Sequence, residues 1–85
     1  MGFEPTRYIY EQVADLIAAD IASGRLPKGA RLPNERDLGK EYGGVAPGTA
    51  RRAVRELRER GLVVTLPNRG TFVVDTPDSD GADGR

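Results

Sequence analysis

Arginine is the residue whose placement in this chain could do chemistry. Arg51, Arg52, Arg55 and Arg58 fall within one predicted helix, Arg36 on the predicted helix before it, and Arg69 beside Gly70 at a predicted hairpin tip. A guanidinium stays charged and holds its N–H donors in a planar fork, which fits phosphate oxygens and the O6 and N7 edge of guanine. Thr49 can contact a phosphate or a thymine methyl, and a glycine lets backbone approach a groove closely. A helix with a basic exposed face, followed by a β-ribbon with a cation at its tip, suits gripping double-stranded DNA.

The same inventory excludes other chemistries. The 85 residues contain no histidine and no cysteine, which removes the commonest general base, the thiolate nucleophile and the commonest metal ligands. The carboxylates form no paired arrangement of the acid–base or metal-binding type. A chain this short buries only about 60 to 65 per cent of the surface its unfolded form exposes, too little for a deep cleft. Neither catalysis, nor a cofactor, nor a metal is expected. Lack of cysteine fits a reducing compartment. The start, Met1 to Tyr10, has a proline and charges where a signal peptide needs an apolar stretch, and no apolar run approaches the roughly 20 residues of a membrane span. A cytoplasmic protein with no membrane partner is expected.

The formal net charge is zero, from 13 basic and 13 acidic residues, but the charges are unevenly placed. Residues 75–85 hold Asp75, Asp78, Asp80 and Asp83 against Arg85, giving minus three. Residues 1–74 hold twelve Lys or Arg against nine Asp or Glu, giving plus three. The chain therefore divides into a mildly basic folded domain over 1–74 and a disordered acidic tail over 75–85, which has a proline, two glycines and no large apolar residue. The tail reads as solvated, with an acidic mimic competing for the basic face as the alternative.

These side chains need elements to hold them. Thr6 is placed to cap a first helix in which Ile9, Val13, Leu16, Ile17 and Ile21 share a face, and Ser23 and Gly24 end it. A connector with two prolines follows, with a short strand at Ala30 to Leu32. Asn34 can cap a second helix, with Glu35 and Asp37 favourably placed in its first turn, running to about Tyr42. Gly43 and Gly44 break it. A third helix starts with Pro47 in its first turn and presents Ala50, Ala53, Val54 and Leu57 inward. Its other face carries Gly48, Thr49, Arg51, Arg52, Arg55 and Arg58. After Gly61, Leu62 to Leu66 and Thr71 to Val74 flank Pro67, Asn68, Arg69 and Gly70 as a hairpin, with Phe72 assigned to the core. The fold class is α+β, mainly helical.

Over Tyr8 to Val73 the chain resembles the winged helix-turn-helix domain of GntR-type bacterial transcription regulators. The resemblance rests on Tyr8, Gln12, Gly24, Gly29, Leu32, Pro33, Glu35, Arg36, Leu38, Tyr42, Val45, Thr49, Arg51, Ala53, Leu57, Gly61, Leu62 and the run Arg69 to Val73. It implies three helices and a C-terminal hairpin wing. By the same resemblance, a recognition helix over 47–60 enters the major groove, and a wing over 66–71 touches the minor groove or backbone. Two copies would bind a pseudo-palindromic operator as a homodimer, with repression by exclusion of polymerase. By position, Arg36, Thr49, Arg51 and Gly70 correspond to the family's DNA-contacting sites.

Arginine on an exposed helix is ordinarily a solvated face with partners such as Glu59. Placement between a helix-turn-helix turn and a wing is what marks Arg51, Arg52 and Arg55, with Gly48 beside them; Arg58 should lie farther from the groove. Arg36 has pairing with Glu41 as its structural alternative, and Arg69 has solubility of the ribbon edge. Tyr8 is a candidate phosphate contact or else a rim aromatic. Three residues depart from the family pattern. Gly43 and Gly44 stand where one glycine is usual, which should displace or rotate the third helix slightly. Ala46 replaces a capping Ser or Thr at a cost of about 1 kcal/mol, and Pro47 replaces an arginine. Family members commonly continue into a metabolite-binding, dimerising domain; no effector site is expected in these residues. The alternative reading is a winged-helix protein-interaction module, for which the recognition helix is not basic.

Overall fold

The computed structural model describes residues 2–74; the acidic segment 75–85 lies outside the described residues. Three helices are followed by two strands: α1 (Ile9–Ser23), α2 (Glu35–Glu41), α3 (Pro47–Glu59), β1 (Val63–Leu66) and β2 (Gly70–Val73). α3 packs on both α1 and α2.

α1 buries Val13, Ala14 and Ile17. Ile9, in its first turn, remains 46% exposed. Its start differs from expectation. Tyr8, not Thr6, is the N-cap, and no side chain caps the helix; the Thr6 hydroxyl instead donates to the Glu4 carboxylate at 3.0 Å. The segment before α1 is held by Gln12. Its side-chain amide donates to the Glu4 carbonyl (2.7 Å) and accepts from the Glu4 N–H (2.6 Å). This clamp sets Phe3 against the core.

Asn34 caps α2 as its type and position predict, its Oδ1 accepting from the Asp37 N–H at 2.8 Å. Gly43 and Gly44 then turn the chain at φ 99° and 69°, a region costly for residues with a Cβ. Gly43 has a second reason to be glycine: a Cβ there would collide with the Phe3 ring. α3 starts at Pro47 from an N-cap, Ala46, that offers no side-chain bond. Ala50, Ala53, Val54 and Leu57 are all buried, so the inward face is the predicted one. With Val13, Ile17, Leu32, Leu38, Val63 and Val73 they make one core.

β1 and β2 are antiparallel, in register from Val63 opposite Val73 to Leu66 opposite Gly70. In place of the predicted strand at Ala30 to Leu32, the structure has an isolated bridge, Arg31 opposite Phe72, on the other side of β2. The Leu32 N–H donates to the Thr71 carbonyl and the Val73 N–H to the Ala30 carbonyl, both at 2.8 Å. β2 is therefore central at its base. Val63 and Val73 point to the core, so the alternation puts Phe72, opposite Val64, on the other face, half-buried and outside the core. That corrects its core assignment; Phe3, from outside the helices, packs there instead.

Candidate nucleic-acid interface

Two hollows flank the exposed face of α3. The larger, an open groove of about 870 Å³, lies between α2, α3 and the wing; Arg31, Glu35, Asp37, Arg51, Arg58 and Gly70 are among the residues lining it. The smaller, of about 600 Å³, lies between α3 and the head of α1, where Tyr8, Tyr10, Thr49 and Arg52 meet. Of the residues marked in the sequence, Arg51 and Gly70 thus share one hollow and Thr49, Arg52 and Tyr8 the other. Arg36 lines neither, sitting beside Pro47 on the α2 side. Arg55 and Arg69 stand outside all of these hollows.

Each arginine has its own surroundings. The Arg51 Nε donates to both oxygens of Glu35 at 3.2 Å, with the Arg51 side chain 60% exposed. Glu35 thereby holds the guanidinium through Nε, with no hydrogen bond from its terminal nitrogens among the described residues. Arg52 stacks over the Tyr10 ring, its Cζ 4.3 Å from the centroid, and Tyr10 in turn packs near Tyr8 at 5.8 Å between ring centres. A cation over an aromatic face is held in orientation while keeping its charge. Arg58 donates through Nη1 to the Thr65 hydroxyl at 2.9 Å, and Thr65 shares a hydrogen bond with Thr71. It ties α3 to the wing. Arg36, Arg55 and Arg69 are exposed, with no side-chain partner among the described residues. Gly48 is exposed, with open space where a Cβ would be. Tyr8 is 70% exposed.

Other charged groups are paired around α1. Asp15 of α1 accepts from Arg7 at 2.8 Å and pairs with Arg60 at 3.0 Å. The hydrogen bond from Arg7 holds its carboxyl below the ordinary value, against the opposing effect of burial and with help from Arg60. Tyr42 donates its hydroxyl to Asp20 at 2.7 Å; burial, reinforced by that carboxylate, raises its phenol well above the usual range. Among the described residues, no group of three or more Asp or Glu side chains could hold a metal ion, and no helix is long and apolar enough to cross a membrane.

A three-helix core whose last helix shows an arginine face, followed by a hairpin set beside that face, is the geometry of a winged helix-turn-helix. Residues 9–73 match the bacterial regulatory proteins of the gntR family. The chain belongs to that family. Among similar proteins is the mannosyl-D-glycerate transport/metabolism system repressor MngR of Escherichia coli, 40% identical over 73 residues, which are 86% of this chain and 29% of that protein. Another is the HTH-type transcriptional regulator SmoD of Agrobacterium fabrum, 37% identical over 65 residues, 76% of this chain and 27% of that one. The chain thus spans less than a third of either relative. A GntR family transcriptional regulator from Listeria monocytogenes has a similar structure, with a TM-score of 0.78 at 28% identity, over 87% of this chain and 64% of that one. So does the DNA-binding domain of AraR in complex with its operator ORR3, with a TM-score of 0.68 at 28% identity, over 87% and 92%.

Within this gntR domain, sequence reasoning passed over Arg31, which lines the larger groove, and Tyr10, which supports Arg52. The predicted strand at Ala30 to Leu32 held the signal for Arg31: alternation sends Ala30 and Leu32 inward and the residue between them outward.

Proposed function

We propose that this gntR domain is the sequence-reading part of a transcription regulator. α3 enters the major groove of double-stranded DNA, and the wing lies along the neighbouring minor groove or backbone. Two copies act as a homodimer on a pseudo-palindromic operator, and the outcome is repression by exclusion of polymerase. The observation that supports it best is Arg51: a largely exposed guanidinium at the first turns of α3, bonded to Glu35 through Nε, with no hydrogen bond from its terminal nitrogens among the described residues. Such a fork matches the paired acceptors of guanine. Arg36, Arg55 and Arg69, without a side-chain partner among the described residues, supply charge for phosphates, Thr49 and Tyr8 the contacts around the smaller hollow, Gly48 a close backbone approach, and Arg52 a cation already oriented by Tyr10. MngR and AraR, a named repressor and an operator-bound domain, support the same reading. The place of action is the cytoplasm, where bacterial DNA lies, and no effector is assigned to these residues.

Selection of bound sequences from a random duplex pool by the purified 85-residue chain tests this. A two-fold motif is expected. Arg51→Ala should weaken binding to the selected duplex by about 1–3 kcal/mol and relax preference at one base pair of each half-site. Binding of no duplex at all would overturn the DNA reading in favour of a protein-interaction module.

A further inference from the structure

Arg31 is the cation in the larger groove to which nothing above gives a role. It lies on the segment paired to the free side of β2, directly opposite Phe72. Its guanidinium is laid across Gly70: a Cβ at that position would come within 2.6 Å of Nε and 3.3 Å of Cζ. Gly70 is thus a seat for a side chain as well as a turn residue, and an alanine there would displace the arginine. The Arg31 side chain is exposed and has no hydrogen-bond or ion-pair partner among the described residues. It lines the same groove as Arg51 and Arg58. Of the carboxylates there, Glu35 is already engaged by Arg51.

We infer that Arg31 is a further DNA contact, gripping a backbone phosphate where a strand passes between α3 and the wing. The inference rests on the DNA reading of this face. A phosphate, and not a base, is the ligand because Arg31 is carried by the sheet at the base of the wing. It therefore meets the rim of a duplex whose base edges are reached from α3. A guanidinium lying over Gly70 with no hydrogen-bond partner among the described residues keeps its N–H donors for a phosphate, whose oxygens they match.

The test is a salt titration of the full chain, wild type against Arg31→Ala and Arg31→Lys, on the selected duplex and on a scrambled one. Arg31→Ala should weaken both by the same factor and make the log–log salt slope shallower by about 2 for a dimer, one phosphate per subunit. Arg31→Lys should keep most of the slope, and both variants should melt like wild type. A slope unchanged in Arg31→Ala overturns the inference, as does a loss confined to the selected duplex. Either result leaves the DNA reading standing provided that Arg51→Ala still binds weakly, whereas a wild type that binds neither duplex removes both.

Discussion

Asn34 and Ala46 occupy the same position on two successive helices and solve it differently. The Asn34 Oδ1 satisfies the Asp37 N–H, whereas Ala46 offers only its carbonyl, to the N–H groups of Thr49 and Ala50. Asn34→Ala should therefore cost about 1 kcal/mol of stability by denaturant titration, and Ala46→Ser should return a similar amount. The serine hydroxyl would also stand beside Pro47 at the leading end of α3. If α3 sits in DNA as proposed, Ala46→Ser should raise affinity for all duplexes alike, through a phosphate, without changing the preferred sequence.

Among the elements, the turn between α2 and α3 makes the sharpest prediction. Gly43 and Gly44 both have positive φ, but only Gly43 lies under the Phe3 ring; nothing occupies the space around Gly44. Gly44→Ala should cost about 1–2 kcal/mol for backbone strain alone, and Gly43→Ala should cost more. In a Phe3→Ala background the difference between the two should vanish, as denaturant midpoints would show. α1 carries a pH dependence. Because the folded-state value of Asp15 lies below the unfolded one, its contribution is fully present above the ordinary carboxylate value of about 4 and is lost as pH falls through the depressed value. Asp15→Asn should lower the melting temperature near neutrality and have a shallower acid limb. Most elements were legible in the sequence because their signals are local. Pro47, the spacing of Ala50, Ala53, Val54 and Leu57, the Asn34 cap and the paired glycines each act within one or two turns. What escaped is set at long range. Gln12 holds the segment carrying Phe3 from eight residues away, Thr6 loses its capping role to that clamp, and Arg31 is placed by pairing with Phe72 across 41 positions.

At the scale of the whole molecule, zero net charge conceals an uneven pairing of the arginines. Asp15 is paired with Arg7 and Arg60, while Arg36 on α2, Arg55 on α3 and Arg69 at the wing tip have no side-chain partner among the described residues. If each subunit neutralises roughly four phosphates, log affinity for duplex should fall against log salt with a slope of about −7 for a dimer; a flat response in a salt titration would contradict the proposal. The wing itself is supported unequally along its length. Between Thr71 and Val73, β2 is hydrogen-bonded on both sides, but beyond Gly70 the chain has β1 alone and turns through Asn68 at φ 62°. It is a cantilever, clamped at the root and free at the end that carries Arg69. Bending at that root would move the tip and leave α3 where the core holds it, so, if the two act on DNA as proposed, one rigid reading helix could be paired with minor grooves of differing width.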